Sequence, residues 1–159
     1  MPITHKINAI LLSLYSVVSC HRPYIINLKM PKKPEIHNID SYENFTLFVD
    51  KLEEKARNNV FFMFTGKKKE NGRSWCIYCQ LAEPIVAAYL NELEKDLIFA
   101  YVDVGTREYW KDVNCPFRTD KRTTLMVIPT IIKWHGVQRL EGSQCNKRDL
   151  LQMLFEDED

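Results

Sequence analysis

Val60-Phe61-Phe62-Met63-Phe64 ends in Thr65-Gly66, passes through the polar loop 67–74 and reaches Trp75-Cys76-Ile77-Tyr78-Cys79. Five consecutive apolar residues are the pattern of a central strand buried on both faces. Two cysteines three positions apart lie on one face of a single helical turn, close enough to cycle between dithiol and disulfide. A helix N-terminus carries partial positive charge and unsatisfied N–H groups, so a sulfur placed there ionises more easily. The thiolate is the reactive form in thiol–disulfide exchange. Cys76, at the solvent end of the turn, is the expected nucleophile. Cys79, one turn deeper, is the expected resolving thiol, and the two together are the expected redox-active disulfide.

Working outward, the helix that begins at the cysteines is expected to run to about Leu93. Leu81, Ile85 and Tyr89 form one apolar line along it, and Ala82, Val86, Leu90 and Leu93 another. Pro84 falls inside and predicts a kink. Upstream, Pro34 to Ile39 reads as a short strand. Asp40 and Glu43 have capping-box spacing and open a helix to about Arg57, with Phe45, Phe48, Val49 and Leu52 on its inner face. Downstream, Leu97 to Val102 is a second buried strand. An irregular polar stretch with Tyr109-Trp110 and Asn114-Cys115-Pro116 follows. Ile131 to Trp134 and Val137 to Leu140 make a hairpin about His135-Gly136. Asn146 is placed to cap a last helix in which Leu150, Leu151, Leu154 and Phe155 face inward. Strand and helix alternate first, which implies right-handed crossovers and parallel pairing, and a hairpin and helix close the chain. The cysteines then sit at the carboxyl end of a central strand, where sites of open α/β sheets gather.

The chain has 159 residues, 45% of them hydrophobic and 27% charged, with a net charge of +1. That length suits one domain with a sizeable core. The near-neutral balance offers no basic field for nucleic acid. Its five cysteines, at 20, 76, 79, 115 and 145, lack the dense, regular spacing of a disulfide-stapled scaffold. Zinc needs four ligands, usually as two spaced pairs, and Cys115 and Cys145 do not form a second pair, so no metal site is expected. Residues 1–29 read as an N-terminal extension to a domain spanning 30–159. The apolar stretch Ile7 to Val18 is too short and interrupted for a membrane span, so no membrane contact is expected of the mature domain. It suits a signal-peptide core, with Ser19 or Cys20 preceding a cleavage point. The rival and preferred reading takes Met30-Pro31-Lys32-Lys33-Pro34 as the true start. The choice decides the redox compartment.

Three features converge: the Cys76/Cys79 pair, Pro84 five residues after it, and Ile128-Pro129-Thr130 before the hairpin. Together they resemble the thioredoxin superfamily, which carries W-C-x-x-C at the start of a proline-kinked helix and a cis-proline loop packed against the cysteines. Phe64-Thr65-Gly66, the long polar loop, Ala82-Glu83-Pro84, Tyr109-Trp110-Lys111-Asp112, Phe117-Arg118, Val127-Ile128-Pro129-Thr130, Cys145 and Met153-Leu154-Phe155 look, in order, like the motifs of its small cytosolic thioredoxin-related members. The resemblance covers about residues 34 to 159. It implies an α/β thioredoxin-like fold, with a central mixed β-sheet flanked by helices in a three-layer α/β/α sandwich. It further implies a monomeric, cytoplasmic protein-disulfide reductase with no bound cofactor. NADPH would be used indirectly, through thioredoxin reductase. Small disulfides such as cystine and a limited set of proteins would be the substrates, the range narrowed by the long loop before Trp75.

The resemblance also assigns residues. Pro129 would be the cis-proline, the Ile128 backbone would pair with bound substrate, and Trp75 would shield the cysteines and offer a substrate surface. Thioredoxins usually keep a buried carboxylate under the second cysteine as a proton relay. The strand from Val60 to Phe64 has none, and Glu83, four residues after Cys79, is the candidate replacement, with a solvated glutamate as the alternative. Ile77-Tyr78 stands where these relatives usually have Pro-Asp. That loses stiffness in the first turn and removes a negative charge, which by charge alone eases thiolate formation. Cys115 reads as a bystander or a second reactive thiol, and Cys145 as a small buried thiol. Lys67-Lys68-Lys69 reads as a solvated loop or as a field that favours the thiolate. Two other functions stay open. A functional signal peptide would make the protein a secreted or lumenal oxidase or isomerase. A non-catalytic binding module would keep the fold without the chemistry.

Overall fold

The computed structural model describes residues 32–54 and 59–156. The expectations for residues 1–29, Cys20 included, and for the helix end near Arg57 lie outside the described residues.

The elements are β1 (Glu35–Ile39), α1 (Tyr42–Glu54), β2 (Val60–Thr65), α2 (Ile77–Glu92), β3 (Ile98–Asp103), α3 (Arg107–Lys111), α4 (Pro116–Thr119), β4 (Thr130–Lys133), β5 (Arg139–Glu141) and α5 (Arg148–Glu156), with a 3-10 turn at Gly142–Asn146 before α5. The five strands form one sheet in the order β1-β3-β2-β4-β5. β1, β3 and β2 run parallel, while β4 and β5 join antiparallel. This is the mixed sheet of a thioredoxin-like fold, and β2, the apolar run quoted first, is its middle strand.

Alternation along β2 divides the interior in two, since successive side chains point to opposite faces of a sheet. Phe62 and Phe64 join Phe45, Val49 and Leu52 of α1, Phe117 of α4 and Trp134 in one core. Phe61 and Met63 join Ala82, Val86 and Leu90 of α2 and Leu151, Leu154 and Phe155 of α5 in the other. Helices therefore cover both faces, and every residue of β2 is buried. The central pairing is fixed on both sides, Phe62 opposite Ala100 of β3 and Ile132 of β4.

Several local expectations are corrected. α1 is capped by Ser41, whose Oγ accepts the Asn44 N–H at 3.2 Å, rather than by an Asp40–Glu43 box. Leu81 is exposed and takes no part in the buried stripe of α2. The stretch read as irregular holds the two short helices α3 and α4, because Thr106 caps the first by accepting the Tyr109 N–H and Pro116 opens the second. Asn146 lies inside the 3-10 turn. The turn is opened by a reciprocal Glu141–Gln144 capping box, and α5 starts two residues past Asn146. Pro84 sits inside α2, as expected.

Candidate active site

Cys76 is the N-cap of α2, with extended backbone angles (φ −88°, ψ 113°). Its Sγ accepts the Cys79 backbone N–H at 3.3 Å. The cap needs an acceptor at this position, and a sulfur supplies it while gaining from the orphan N–H groups of the first turn. Both cysteines are free thiols. Cys76 keeps 8% of its surface exposed and Cys79 none, so only the first is open to a partner.

The two thiols have opposite acidities. The Cys79 thiol donates a hydrogen bond to Cys76, and the Cys79 and Tyr78 backbone N–H groups add theirs; against burial, these hold the Cys76 pKa down at about 7. Cys79 is pushed strongly upward, first by holding the proton it shares with Cys76 and then by burial. One thiol is poised to ionise and its neighbour to keep its proton.

The sequence around the pair is fixed by short bonds. Ser74 Oγ donates to the Gly66 carbonyl at 2.7 Å and accepts the Cys76 N–H at 3.1 Å. Gln80 Nε2 donates back to the Ser74 carbonyl at 2.7 Å. The Trp75 indole N–H donates to the Gly105 carbonyl at 2.8 Å, and its ring lies over Gly66, where an added Cβ would come within 2.7 Å of Trp75 Cε2. A glycine ends β2 at this point because the indole packs against its backbone. Trp75 packs on the core cluster that contains both cysteines.

From the other side comes the loop before β4. The Ile128–Pro129 peptide bond is cis, and the Cys76 thiol faces the Ile128 carbonyl at 3.6 Å. Trp75, Cys76 and Ile128 line one open groove of about 670 Å³, together with Ile77, Tyr78, Arg107, Lys111, Met126 and Val127. Cys79 and Pro129 are not among the residues that line this groove.

Glu83 is not in the groove. It lines a separate cleft of about 630 Å³ with Lys68, Tyr101 and Asp103. Its Oε2 pairs with Lys68 Nζ at 2.9 Å, while its Oε1 is buried with no hydrogen-bond partner among the described residues. Glu83 is thus only partly exposed, its side chain 17% open to solvent. The Glu83 charge opposes ionisation of both cysteines. Lys68, read from the sequence only as one of a charged run, is its counter-ion. Cys115 and Cys145 are both buried. The Cys145 thiol contacts the Leu140 carbonyl at 3.3 Å and the Pro129 carbonyl at 3.6 Å, and burial pushes its pKa up to about 12.

A family model described as "Thioredoxin domain-containing protein 17-like, thioredoxin domain" matches residues 38–157. The chain belongs to this family. Among its relatives, thioredoxin domain-containing protein 17 of Danio rerio is 38% identical over 117 residues, covering 74% of this chain and 91% of the relative. The Homo sapiens protein of the same name is 36% identical over 118 residues, covering 74% and 94%. A thioredoxin-like protein Clot of Arabidopsis thaliana is 29% identical over 110 residues, covering 66% and 82%. The family is a thioredoxin-like redox fold, and among the described residues no helix is long and apolar enough to cross a membrane.

Sequence reasoning missed Ser74, Gly105, Arg107, Lys111 and Met126 as neighbours of the thiols. Only Ser74 had a local signal, a small hydroxyl just ahead of a helix start. The others arrive from segments distant in sequence, Arg107 and Lys111 from α3 and Gly105 and Met126 from loops.

The geometry predicts a pH profile. Alkylation of Cys76 by iodoacetamide follows its thiolate, so the rate should rise with pH and reach half its plateau near pH 7, where the Cys76 pKa lies. Glu83→Gln removes an opposing negative charge and should move that midpoint downward. Stopped-flow alkylation read out by mass spectrometry tests both. A wild-type midpoint at the ordinary thiol value of 9.0 would contradict the hydrogen-bonded cap.

Proposed function

We propose that this protein is a disulfide reductase whose Cys76 thiolate attacks and whose Cys79 resolves. The observation that carries the reading is the pairing of a partly exposed, hydrogen-bonded sulfur at the cap of α2 with a fully buried thiol one turn deeper. In the first step Cys76 Sγ⁻ attacks one sulfur of the substrate; a new S–S bond forms, the substrate S–S bond breaks, and one substrate thiolate leaves. In the second, Cys79 loses its proton and attacks Cys76 Sγ. The mixed disulfide breaks, the second substrate thiol leaves, and the Cys76–Cys79 disulfide remains. Two electrons have passed to the substrate.

Glu83 is the proposed proton acceptor for the second step, its charge being felt at Cys79. It is the mostly buried carboxylate whose field both cysteines feel. Trp75 and the Ile128 backbone form the proposed substrate surface, with Pro129 fixing the loop. The oxidised pair is returned to the dithiol by thioredoxin reductase at the expense of NADPH. Small disulfides such as cystine and a limited set of proteins are the substrates. The protein acts as a cytoplasmic monomer and holds no cofactor of its own. Family membership supports this reading in its general form, as thiol–disulfide chemistry.

The test is NADPH consumption by thioredoxin reductase with the full chain as carrier and cystine as acceptor. Turnover proportional to the concentration of the chain is expected. No turnover from folded protein with both thiols titratable would sink the reductase reading.

A further inference from the structure

We propose that the groove beside Cys76 docks protein disulfides flanked by an apolar, acidic segment, with Ile77, Tyr78, Met126 and Val127 taking the apolar residues and Arg107 with Lys111 the acid. The inference rests on the reductase reading and adds the substrate class.

The apolar part is carried by exposure. Ile77 is 58% exposed, Tyr78 55%, Met126 67% and Val127 42%. Scattered apolar residues on a surface are normal. These four instead line one groove. Two come from the first turn of α2 and two from the loop before the cis-proline, so they stand on either side of the accessible sulfur. Tyrosine and methionine are enriched where proteins meet, tyrosine for its large, stiff ring and methionine for its adaptable chain. A ligand that touches only the sulfur would leave this rim in water.

The charged part is carried by pairing. Arg107 and Lys111 are one helical turn apart on α3, both exposed and both in the groove lining. Neither forms an ion pair with a carboxylate among the described residues. Glu141, the acid in the lining, is held by Arg139 at 2.7 Å and by its capping role. The groove lining therefore carries two cations without an ion pair next to an apolar rim, with Glu108 between them on α3 offsetting part of their charge outside the lining. Such charges select partners and speed encounter more than they add raw affinity. Continuity with the sulfur and with the Ile128 backbone makes an extended peptide the fitting occupant.

The test uses three synthetic peptides, each bearing the same disulfide. One has Phe and Val with Asp beside the cysteine, one has Phe and Val with Lys, and one has Ser residues with Asp. The readout is the ratio of kcat/KM values within each variant of the full chain. Wild type should favour the Asp over the Lys peptide by about 10-fold at low salt, and by less at high salt. The double variant Arg107→Glu/Lys111→Glu should invert that ratio. Tyr78→Ser/Met126→Ser should erase the preference for Phe and Val over Ser. Equal rates for the Asp and Lys peptides, or a ratio unmoved by charge reversal, would overturn the docking proposal. Anisotropy with serine-for-cysteine versions of the peptides reads docking without turnover, so failure of the reductase reading is seen separately. Wild type that ranks the peptides in binding but reduces neither them nor 2-hydroxyethyl disulfide would leave the groove standing and refute the chemistry.

Discussion

Cys76→Ser should reduce thioredoxin reductase-coupled turnover to the uncatalysed level, a loss of roughly 10³-fold or more, as expected when a nucleophile is removed. Cys79→Ala should also end turnover, but by a different route. Its Cys76 can still attack, so a mixed disulfide with one half of the substrate should accumulate and be seen as added mass. The attack should be slower than in wild type. The largest influence holding the Cys76 pKa at about 7 is the hydrogen bond from Cys79, and Ala removes it. The pKa then rises toward 9.0, the ordinary value. A full return would lower the thiolate fraction at pH 7 from about one half to about one hundredth. Trapping should therefore recover as pH is raised through 9, whereas Cys76→Ser stays inactive at every pH. Turnover surviving in Cys76→Ser would assign the attack to another thiol. No trapped species in Cys79→Ala at high pH would remove Cys79 from the resolving role.

The fold was legible because its deciding residues are local. Val60 to Phe64 had the pattern of a doubly buried strand, and the sheet does place it in the middle. The helix after Cys76 announced itself by spacing, and the Ile128–Pro129 bond is cis as the resemblance implied. The misses have physical causes. Leu81 fits an apolar stripe by period, but two cores leave only part of the surface of α2 covered. α3 and α4 have five and four residues, too short for periodicity to show. Their existence rests on the Thr106 cap, on Pro116 and on burial of Trp110 and Phe117. The cysteine pair could be read from five letters. What tunes and surrounds it could not: Lys68 reaches Glu83 across 15 positions and Gly105 reaches Trp75 across 30. Such contacts exist only after the sheet has brought the loops together.

Phe45→Ala should be the most destabilising single truncation in the core beneath the cysteines, by about 3–5 kcal/mol. Phe45 is fully buried. Its ring meets Phe62 at 5.2 Å, Phe64 at 5.5 Å, and Phe117 and Trp134 at 6.1 Å, edge-on or tilted in each case. Those partners come from β2, α4 and the end of β4, so four segments share the space it fills. They are rigid rings, poorly able to collapse into a cavity, and Phe62, Phe64 and Trp134 each also lose an edge-to-face contact. Against a typical total stability of roughly 5–15 kcal/mol the loss is large. The melting temperature should fall by about 10 °C or more. Leu47→Ala on the exposed side of the same helix should change it by little. The same cluster contains Cys76, Cys79 and Ile128, so the damage should reach the site. Cys79, closed to solvent in the native protein, is alkylated only when the core opens, and that opening becomes more frequent as stability falls. Calorimetry and the rate of Cys79 alkylation in a Cys76→Ser background should thus move together. A Phe45→Ala protein that loses less than about 1 kcal/mol would mean that the core repacks. Unchanged Cys79 protection despite the full loss would mean that the cysteine opens locally, independently of the aromatic core.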